Sequence, residues 1–176
     1  MAIVHSATIR PTKPELLEAE LGGPVETLGS YRFDDPAGEV GVEAFVVRRG
    51  ERLRHVVLTY RGAPLDDAGA RLVSTMEHSV LGPRWVYDGT IDPVAVACFR
   101  RAVLGGQEQA LLELWEDGRP VGTREPSVRL SVRAGASSGG SALRIVRDLG
   151  EDLRGPALVA HWTGGDAVVA GLVDGM

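Results

Sequence analysis

The chain has 176 residues, of which 44% are hydrophobic and 24% are charged, and this balance is typical of a globular protein. Its formal net charge of −5 disfavours non-specific binding of nucleic acid, which requires a basic surface. No apolar run approaches the roughly 18 residues of a membrane span, so we expect neither membrane association nor a signal peptide. The one cysteine, Cys98, cannot form an internal disulfide, and we therefore expect a cytoplasmic protein.

The first third of the chain combines strand patterns with one short helix. Residues 3–10 alternate between two faces, which predicts one half-buried strand. Thr12 and Glu15 have the spacing of a capping box, and Gly22 ends a helix of about two turns. Further strands are predicted at residues 31–33, 40–47 and 53–60.

The middle of the chain predicts a hairpin followed by the best-defined helix. The two strands are expected at residues 71–81 and 84–88, around a turn at Leu81-Gly82-Pro83. Asp92 is a favourable N-cap and Pro93 suits the first helical position. The helix is expected to run from Pro93 to Leu104 and to end at Gly105-Gly106.

The last third of the chain predicts strands joined by tight turns. Asp117-Gly118 is a strong hairpin signal between strands at 110–115 and 119–123. Residues 127–133 alternate, so Val128, Leu130 and Val132 are predicted to point into the core. Strands are also predicted at residues 142–149, 158–162 and 167–173, after a Gly/Ser-rich loop at 134–141.

These elements predict an α+β fold of about ten strands and two main helices. The connections between strands are short, so the pairing is expected to be mostly antiparallel. The pattern contains no repeating strand–helix–strand unit, which argues against a Rossmann-like fold. We expect one domain over residues 1–176, in which residues 141–176 could form a small all-β part.

The stretch from Thr75 to Pro93 concentrates aromatic and ionisable side chains. Its candidate binding residues are His78, Arg84, Trp85, Tyr87 and Asp88. Trp85 and Tyr87 share a face at a spacing of two, where they could stack on a sugar or pack between a sheet and a helix. The sequence leaves both interpretations open: a binding site, or a structural hub.

The second candidate region is a hairpin tip that carries Arg48, Arg49, Arg52 and Arg54. These arginines could bind an acidic partner or a phosphate, or they could protect the end of the hairpin by charge. The G-x-S-x-G match at residues 135–139 precedes a strand pattern rather than a helix, so it does not predict a nucleophile elbow. The sequence has no P-loop, and it predicts no catalytic set, metal site or cofactor.

Three segments resemble a known family: Ala2–His5 with Thr12-Lys13-Pro14, Tyr60–Leu65, and Met76–Gly89 with Asp92-Pro93-Val94. They are similar to the stand-alone maltokinase N-terminal cap-like proteins of actinobacteria. The resemblance covers residue 2 to about residue 115. It implies a curved, cystatin-like and kinase-associated sheet, and a place in trehalose, maltose and α-glucan (glycogen) metabolism. It carries over no catalytic residue, because the ATP, magnesium and sugar sites of maltokinases lie chiefly in the lobes that follow the cap.

Two functions are consistent with this resemblance. The first is a non-catalytic accessory or regulatory module that docks in trans on a sugar kinase or related enzyme, through the Arg48–Arg54 hairpin or the Tyr60–Asp67 loop. The alternative is a sugar or sugar-phosphate binding protein, or a small enzyme, with a pocket at the Thr75–Pro93 hairpin. Association with a second copy through an edge strand also stays open.

Overall fold

The structure, a computed structural model, describes residues 1–135 and 141–174. These two stretches contain two helices, α1 (Lys13–Leu21) and α2 (Pro93–Val103). They contain thirteen strands: β1 (Ala2–His5), β2 (Ile9–Arg10), β3 (Glu26–Phe33), β4 (Gly41–Arg49), β5 (Arg52–Arg61), β6 (Leu72–His78), β7 (Gly82–Asp88), β8 (Leu112–Glu116), β9 (Arg119–Arg124), β10 (Arg129–Arg133), β11 (Ala142–Ile145), β12 (Ala157–Trp162) and β13 (Gly165–Val173).

The strands form three sheets. A six-stranded sheet has the order β2-β6-β7-β5-β4-β3, a four-stranded sheet the order β10-β12-β13-β11, and a three-stranded sheet the order β1-β8-β9. The predicted α+β composition and mostly antiparallel pairing are confirmed, since the pairs are antiparallel except for β1 with β8. The prediction of about ten strands in one sheet is wrong, because the described residues form thirteen strands in three sheets.

Both helices begin where their caps predict, and α2 ends at Val103, one residue before the predicted end. Thr12 accepts a hydrogen bond from the Glu15 amide and the Glu15 carboxylate accepts one from the Thr12 amide, which completes the capping box of α1. Gly22 ends this helix with φ 72°, in the left-handed region that glycine adopts without strain. Asp92 caps α2 by accepting a hydrogen bond from the Val94 amide.

Some strand predictions need correction. The strand predicted at residues 3–10 divides, because β1 pairs with β8 and β2 pairs with β6 of a different sheet. Gly82 and Pro83 belong to β7 rather than to the turn. The turn lies before them, where the His78 ring nitrogen accepts hydrogen bonds from the Val80 and Leu81 amides.

Two further predictions fail near the four-stranded sheet. Val132 was predicted to point into the core, yet it is 51% exposed because β10 is the edge strand of its sheet. The strand predicted at residues 142–149 ends at Ile145. The chain then runs beside β5, where His55 donates its amide hydrogen to the Arg147 carbonyl and Leu149 donates to the Leu53 carbonyl.

Apolar side chains cover both faces of the six-stranded sheet. Alternate residues of β4 point to opposite sides, so Val46 belongs to one cluster and Phe45 to the other. The larger cluster joins this sheet to α2 and to the four-stranded sheet, with Phe99 of α2 fully buried. The smaller cluster packs Leu16 and Leu17 of α1 against the opposite face. Burial on the sheet stabilises α1, which has only nine residues and would be marginal alone.

No helix in the described parts of the chain is long and apolar enough to cross a membrane.

Candidate functional site

The stretch from Thr75 to Pro93 lies at the centre of the six-stranded sheet. β7 pairs with β6 on one side and with β5 on the other. Trp85 stands between Thr75 and Arg61, and two residues further on Tyr87 stands between Leu72 and Thr59. The chain then leaves the sheet at Asp88 and enters α2 at Asp92.

Asp88 is 3% exposed and its carboxylate is surrounded by donors. Oδ1 accepts hydrogen bonds from the Thr90 amide at 3.0 Å and from the Thr90 hydroxyl at 2.8 Å. Oδ2 accepts from Arg71 Nη2 at 2.9 Å and from Arg147 Nη2. Burial alone raises the pKa of Asp88, but the hydrogen bonds from Thr90, Arg147 and Arg71 outweigh it, so the pKa lies below its ordinary value. Asp88 is therefore a fixed anion at neutral pH.

The same arginines connect Asp88 to other elements. Arg71 Nη1 donates to the Glu20 carboxylate of α1 at 2.9 Å, and Arg147 lies 3.9 Å from that carboxylate. Beside them, Arg54 of β5 forms an ion pair with Asp148 at 3.1 Å. These six groups carry three positive and three negative charges, so the cluster is balanced. Its geometry holds α1, β5, β7 and the segment after β11 in one arrangement, which favours the structural interpretation of the hub.

Asp92 makes a second buried ion pair at the start of α2. Its side chain has no exposed surface, and it accepts two hydrogen bonds from Arg61, at 2.7 and 2.8 Å. The Thr59 hydroxyl donates a further bond at 2.7 Å. Burial raises the pKa of Asp92, but the hydrogen bonds from Arg61, Thr59 and the Val94 amide outweigh this effect, so the pKa lies below its ordinary value. The pair joins the N-terminus of α2 to β5.

The remaining predicted binding residues have separate surroundings. Tyr87 is 5% exposed, and its hydroxyl accepts a hydrogen bond from the Leu65 amide at 2.9 Å, which holds the Tyr60–Asp67 loop. Arg84 donates to the carbonyl of its neighbour Pro83. Trp85 is half-buried and belongs to none of the three apolar clusters formed by the described residues.

His78 lies far from Asp88 along the hairpin. His78 pairs with Gly82, at the opposite end of β7 from Asp88. Partial burial lowers the pKa of His78, and the nearby charges of His5 and Arg84 lower it further. The two cavities described below do not include His78, Arg84, Trp85 or Tyr87. A binding pocket formed by the five predicted residues stays a prediction.

Three of the four arginines of the hairpin tip have partners within the chain. Arg48 forms an ion pair with Glu26 at 2.8 Å, and Arg49 donates to the Gly22 carbonyl at 2.9 Å. Arg54 belongs to the balanced cluster around Asp88. For Arg52, no side-chain hydrogen bond or ion pair is found among residues 1–135 and 141–174. The docking role of this hairpin also stays a prediction.

One cavity is a groove that the sequence did not reveal. It has a volume of about 580 Å³ and lies between β10 and the segment after α2. Its lining consists of apolar and polar side chains from three segments, Gln107–Leu111, Glu125–Pro126 and Arg129–Val132, together with Ala102 and Leu158. A smaller cavity of about 20 Å³ lies beside Asp88 and Arg147. No local pattern marks the groove, because it depends on which strand forms the edge of the sheet.

Gln109 crosses this groove with its side-chain amide. Nε2 donates to the Val128 carbonyl at 2.8 Å, and Oε1 accepts from the Leu130 amide. The side chain thus bonds a carbonyl and an amide that lie two residues apart on the same edge, as the main chain of a neighbouring strand would. At its other edge, β10 pairs with β12. Gln109 therefore satisfies part of an otherwise open sheet edge.

The comparisons with known proteins concern the first half of the chain. Residues 18–92 match the family model of the maltokinase N-terminal cap domain. The resemblance seen in the sequence is confirmed over this range. The match includes the whole of β3 to β7, the arginine hairpin and the five predicted binding residues, and it ends at the N-cap of α2. No curated protein and no solved structure matches the chain.

The cap-like segment does not contain the groove. All residues that line the groove lie after residue 92, in the part of the chain outside the family match. The balanced cluster around Asp88 joins the two parts, since Arg71 and Asp88 belong to the cap-like segment and Arg147 does not. The segment therefore supplies five of the six strands of the six-stranded sheet, β3 to β7, and the residues after it supply the groove beside the four-stranded sheet.

Proposed function

We propose that this protein is a non-catalytic accessory or regulatory module that docks in trans on a sugar kinase or a related α-glucan enzyme. The match of residues 18–92 to the maltokinase N-terminal cap domain carries the proposal. A cap domain is non-catalytic in itself and belongs with a sugar kinase, and this association supports the proposed link to trehalose, maltose and α-glucan (glycogen) metabolism. The proposal includes a cytoplasmic location, in line with a single buried cysteine.

The arrangement of the charged groups supports a structural role for the cap-like segment. Asp88 and Asp92 are buried, each with a lowered pKa and arginine partners. Carboxylates of this kind stay ionised at neutral pH, whereas a general acid needs a pKa near the working pH. Glu43 follows the same rule. Its burial raises the pKa, but the charges of Arg32 and Lys13 at 3.2 and 2.7 Å lower it more.

A capture experiment tests the proposal. The purified protein, immobilised and cross-linked in a native lysate, is expected to retain a sugar kinase or an α-glucan enzyme that mass spectrometry identifies. The identified enzyme, expressed alone, is then expected to bind the protein directly in calorimetry and to change its activity when bound. Repeated capture without any enzyme of sugar metabolism, or an enzyme that fails to bind in purified form, contradicts the proposal.

The alternative function, binding of a sugar or sugar phosphate, is favoured by one observation. Trp85 is half-buried in the middle of the six-stranded sheet, so part of its aromatic surface stays accessible for stacking on a sugar. Thermal shift against maltose, trehalose, sugar phosphates and ATP tests it, because a ligand at 100 times its dissociation constant adds about 2.7 kcal/mol. A shift that disappears in Trp85→Ala supports this function, and no shift with any of these ligands excludes it for them.

A further inference from the structure

We propose that the free edge of β10 is the docking surface, and that it takes up an extended segment of the partner enzyme as an added strand. The partner segment has an apolar face that fills the groove and a carboxylate-bearing face that adjoins Arg129. The inference rests on the proposed function in naming an enzyme as the partner.

The first step is the hydrogen-bonding direction of β10. In an antiparallel pair, successive residues direct their main-chain groups alternately toward and away from the neighbouring strand. The Leu130 amide bonds Gln109 and the Val128 carbonyl accepts from the same side chain, so residues 128, 130 and 132 direct their main-chain groups away from β12. Gln109 covers the first part of this edge. In the described sheet, no strand pairs with β10 on the side of Val132.

The second step is the space beside this edge. The groove of about 580 Å³ runs along β10 and is lined by Leu130, Ser131 and Val132 on one side and by residues 107–111 on the other. Val132 is 51% exposed, although Val128 and Leu130, which precede it at a spacing of two, are buried and half-buried. A strand added to β10 would lie in this groove, bond the Val132 main chain, and cover the Val132 side chain. Addition of a strand to a sheet edge is a common mode of peptide recognition.

The third step is charge. Arg129 has an exposed side chain, and Glu125 lies 3.7 Å away, which is too far for a hydrogen bond. The guanidinium therefore keeps its donors for a partner carboxylate. Arg129 shares its face of the sheet with Ser131 and His161, whose side chains bond each other at 2.8 Å. Glu108 and Glu125 also line the groove and would repel further negative charge. The carboxylates of the partner segment are therefore expected only on its face that adjoins Arg129.

Charge also argues against a second copy of this chain on the same edge. Antiparallel pairing of β10 with itself requires residues 130 and 132 to bond one another across the two copies. When residue 130 of one copy pairs with residue 132 of the other, Arg129 of each copy lies opposite Arg133 of its partner copy, on the same face of the sheet. Like charges across neighbouring strands are destabilising. A partner segment with carboxylates on that face has the complementary pattern.

The direct test uses two peptides of about nine residues and the full chain. One peptide alternates glutamate with valine, and the other alternates lysine with valine. The glutamate peptide is expected to bind at least about tenfold more tightly in fluorescence anisotropy. Arg129→Glu is expected to reverse this preference. Equal binding of both peptides, or binding of neither, overturns the inference.

Val132→Pro tests the main-chain contact. Proline removes one donor that points out of the sheet and is tolerated on an edge strand, so the variant is expected to fold and to lose about tenfold in affinity. The matched control Val132→Thr keeps the donor and is expected to bind within about threefold of the wild type. If circular dichroism shows that Val132→Pro is unfolded, hydrogen exchange of the wild type takes its place as the test. The glutamate peptide is then expected to slow exchange of the Val132 amide, and unchanged exchange overturns the inference.

Capture with variants separates this inference from the proposed function. If the wild type and Arg52→Glu retain the sugar-metabolic enzyme and Arg129→Glu does not, both proposals are supported. If Arg129→Glu and Val132→Thr retain it and Arg52→Glu does not, the arginine hairpin is the docking surface and the inference is wrong, while the proposed function stands. A dimer of the wild type that Arg129→Glu alters in sedimentation also overturns the inference, because the edge then serves a second copy.

Discussion

The hydroxyl of Tyr31 lies 2.9 Å from Nε2 of His55, inside the apolar core. The other ring nitrogen of His55 lies 2.8 Å from the Val146 carbonyl, so Nδ1 carries the proton and Nε2 accepts from the tyrosine. His55 is 2% exposed and lies near Phe99. Burial lowers the pKa of His55 to about 4, although the bond to Val146 opposes this change. A neutral imidazole thus connects β3, β5 and the segment after β11.

His55 makes the stability of the fold depend on pH. Between an ordinary histidine pKa of about 6.5 and the folded value of about 4, the unfolded chain binds a proton that the folded chain does not. Stability from this group is therefore complete above pH 6.5 and decreases as the pH falls. We expect the free energy of unfolding to drop by about 2 kcal/mol between pH 7 and pH 5, measured by urea denaturation.

His55→Gln isolates this effect. Glutamine can donate to Val146 and accept from Tyr31 but does not titrate, so the variant is expected to lose most of the decrease between pH 7 and pH 5. His161→Gln, at an exposed position, serves as the control and is expected to keep the wild-type dependence. The same decrease in His55→Gln as in the wild type would assign the effect to other groups.

Asp92 is expected to be a large contributor to stability. Asp92→Ala removes the N-cap of α2 and leaves the Arg61 guanidinium, 17% exposed, without its carboxylate, so we expect a loss of about 3–5 kcal/mol. Asp92→Asn keeps the cap and is expected to lose less, because asparagine is also a good N-cap. Thermal and urea denaturation measure both. Asp66→Ala in the exposed loop is the control, expected within about 0.5 kcal/mol of the wild type.

Gln109 is expected to protect the edge of β10. Gln109→Ala removes both bonds of the side-chain amide, to the Val128 carbonyl and the Leu130 amide, and is expected to cost about 1–3 kcal/mol. Hydrogen exchange of the Leu130 amide is expected to become faster. Glu108→Ala, in the same segment, should leave this amide unchanged. Unchanged exchange in Gln109→Ala would mean that another group satisfies the edge.

Gly89 is required by a close approach rather than by its φ. A Cβ at this position would lie 2.4 Å from Cγ1 of Val57 and 3.2 Å from the Val57 carbonyl carbon. The Gly89 amide donates to the same carbonyl at 2.8 Å, so the backbone cannot move away without losing this bond. We expect Gly89→Ala to cost about 1–3 kcal/mol in urea denaturation. Gly122→Ala, where a Cβ meets no atom within 4 Å, is the control and should be nearly neutral.

Features that depend on neighbours in the chain could be predicted from the sequence. The caps Thr12 and Asp92 act on amides two or three residues away, so their patterns place the starts of both helices correctly. The Asp117-Gly118 turn is confirmed for the same reason, with positive φ at both residues. Asp88 was singled out in the sequence, but its arginine partners at positions 71 and 147 could not be, because each lies at least 17 residues away.

The two interpretations of the Thr75–Pro93 stretch show the same division. Its residue types are equally consistent with chemistry and with packing. The sequence does not distinguish an aspartate that caps a helix from one that forms an ion pair or one that acts in catalysis. The fold places Asp88 and Asp92 in buried ion pairs and His78 at the far end of the hairpin. Trp85 is half-buried, and its partial exposure is consistent with ligand binding.

Periodicity, caps and motifs are local in the chain, and for this reason the sequence alone predicts the two helices, most strands and the resemblance of residues 18–92 to the maltokinase cap domain. The division of the strands among three sheets and the place of β10 at a sheet edge are visible only in the fold, because both depend on pairing between distant segments. Val132 has the alternation of a buried residue, but alternation reports only the face of a strand. Whether that face or edge is covered depends on packing between distant segments, and this is why the groove beside β10 emerged only from the fold.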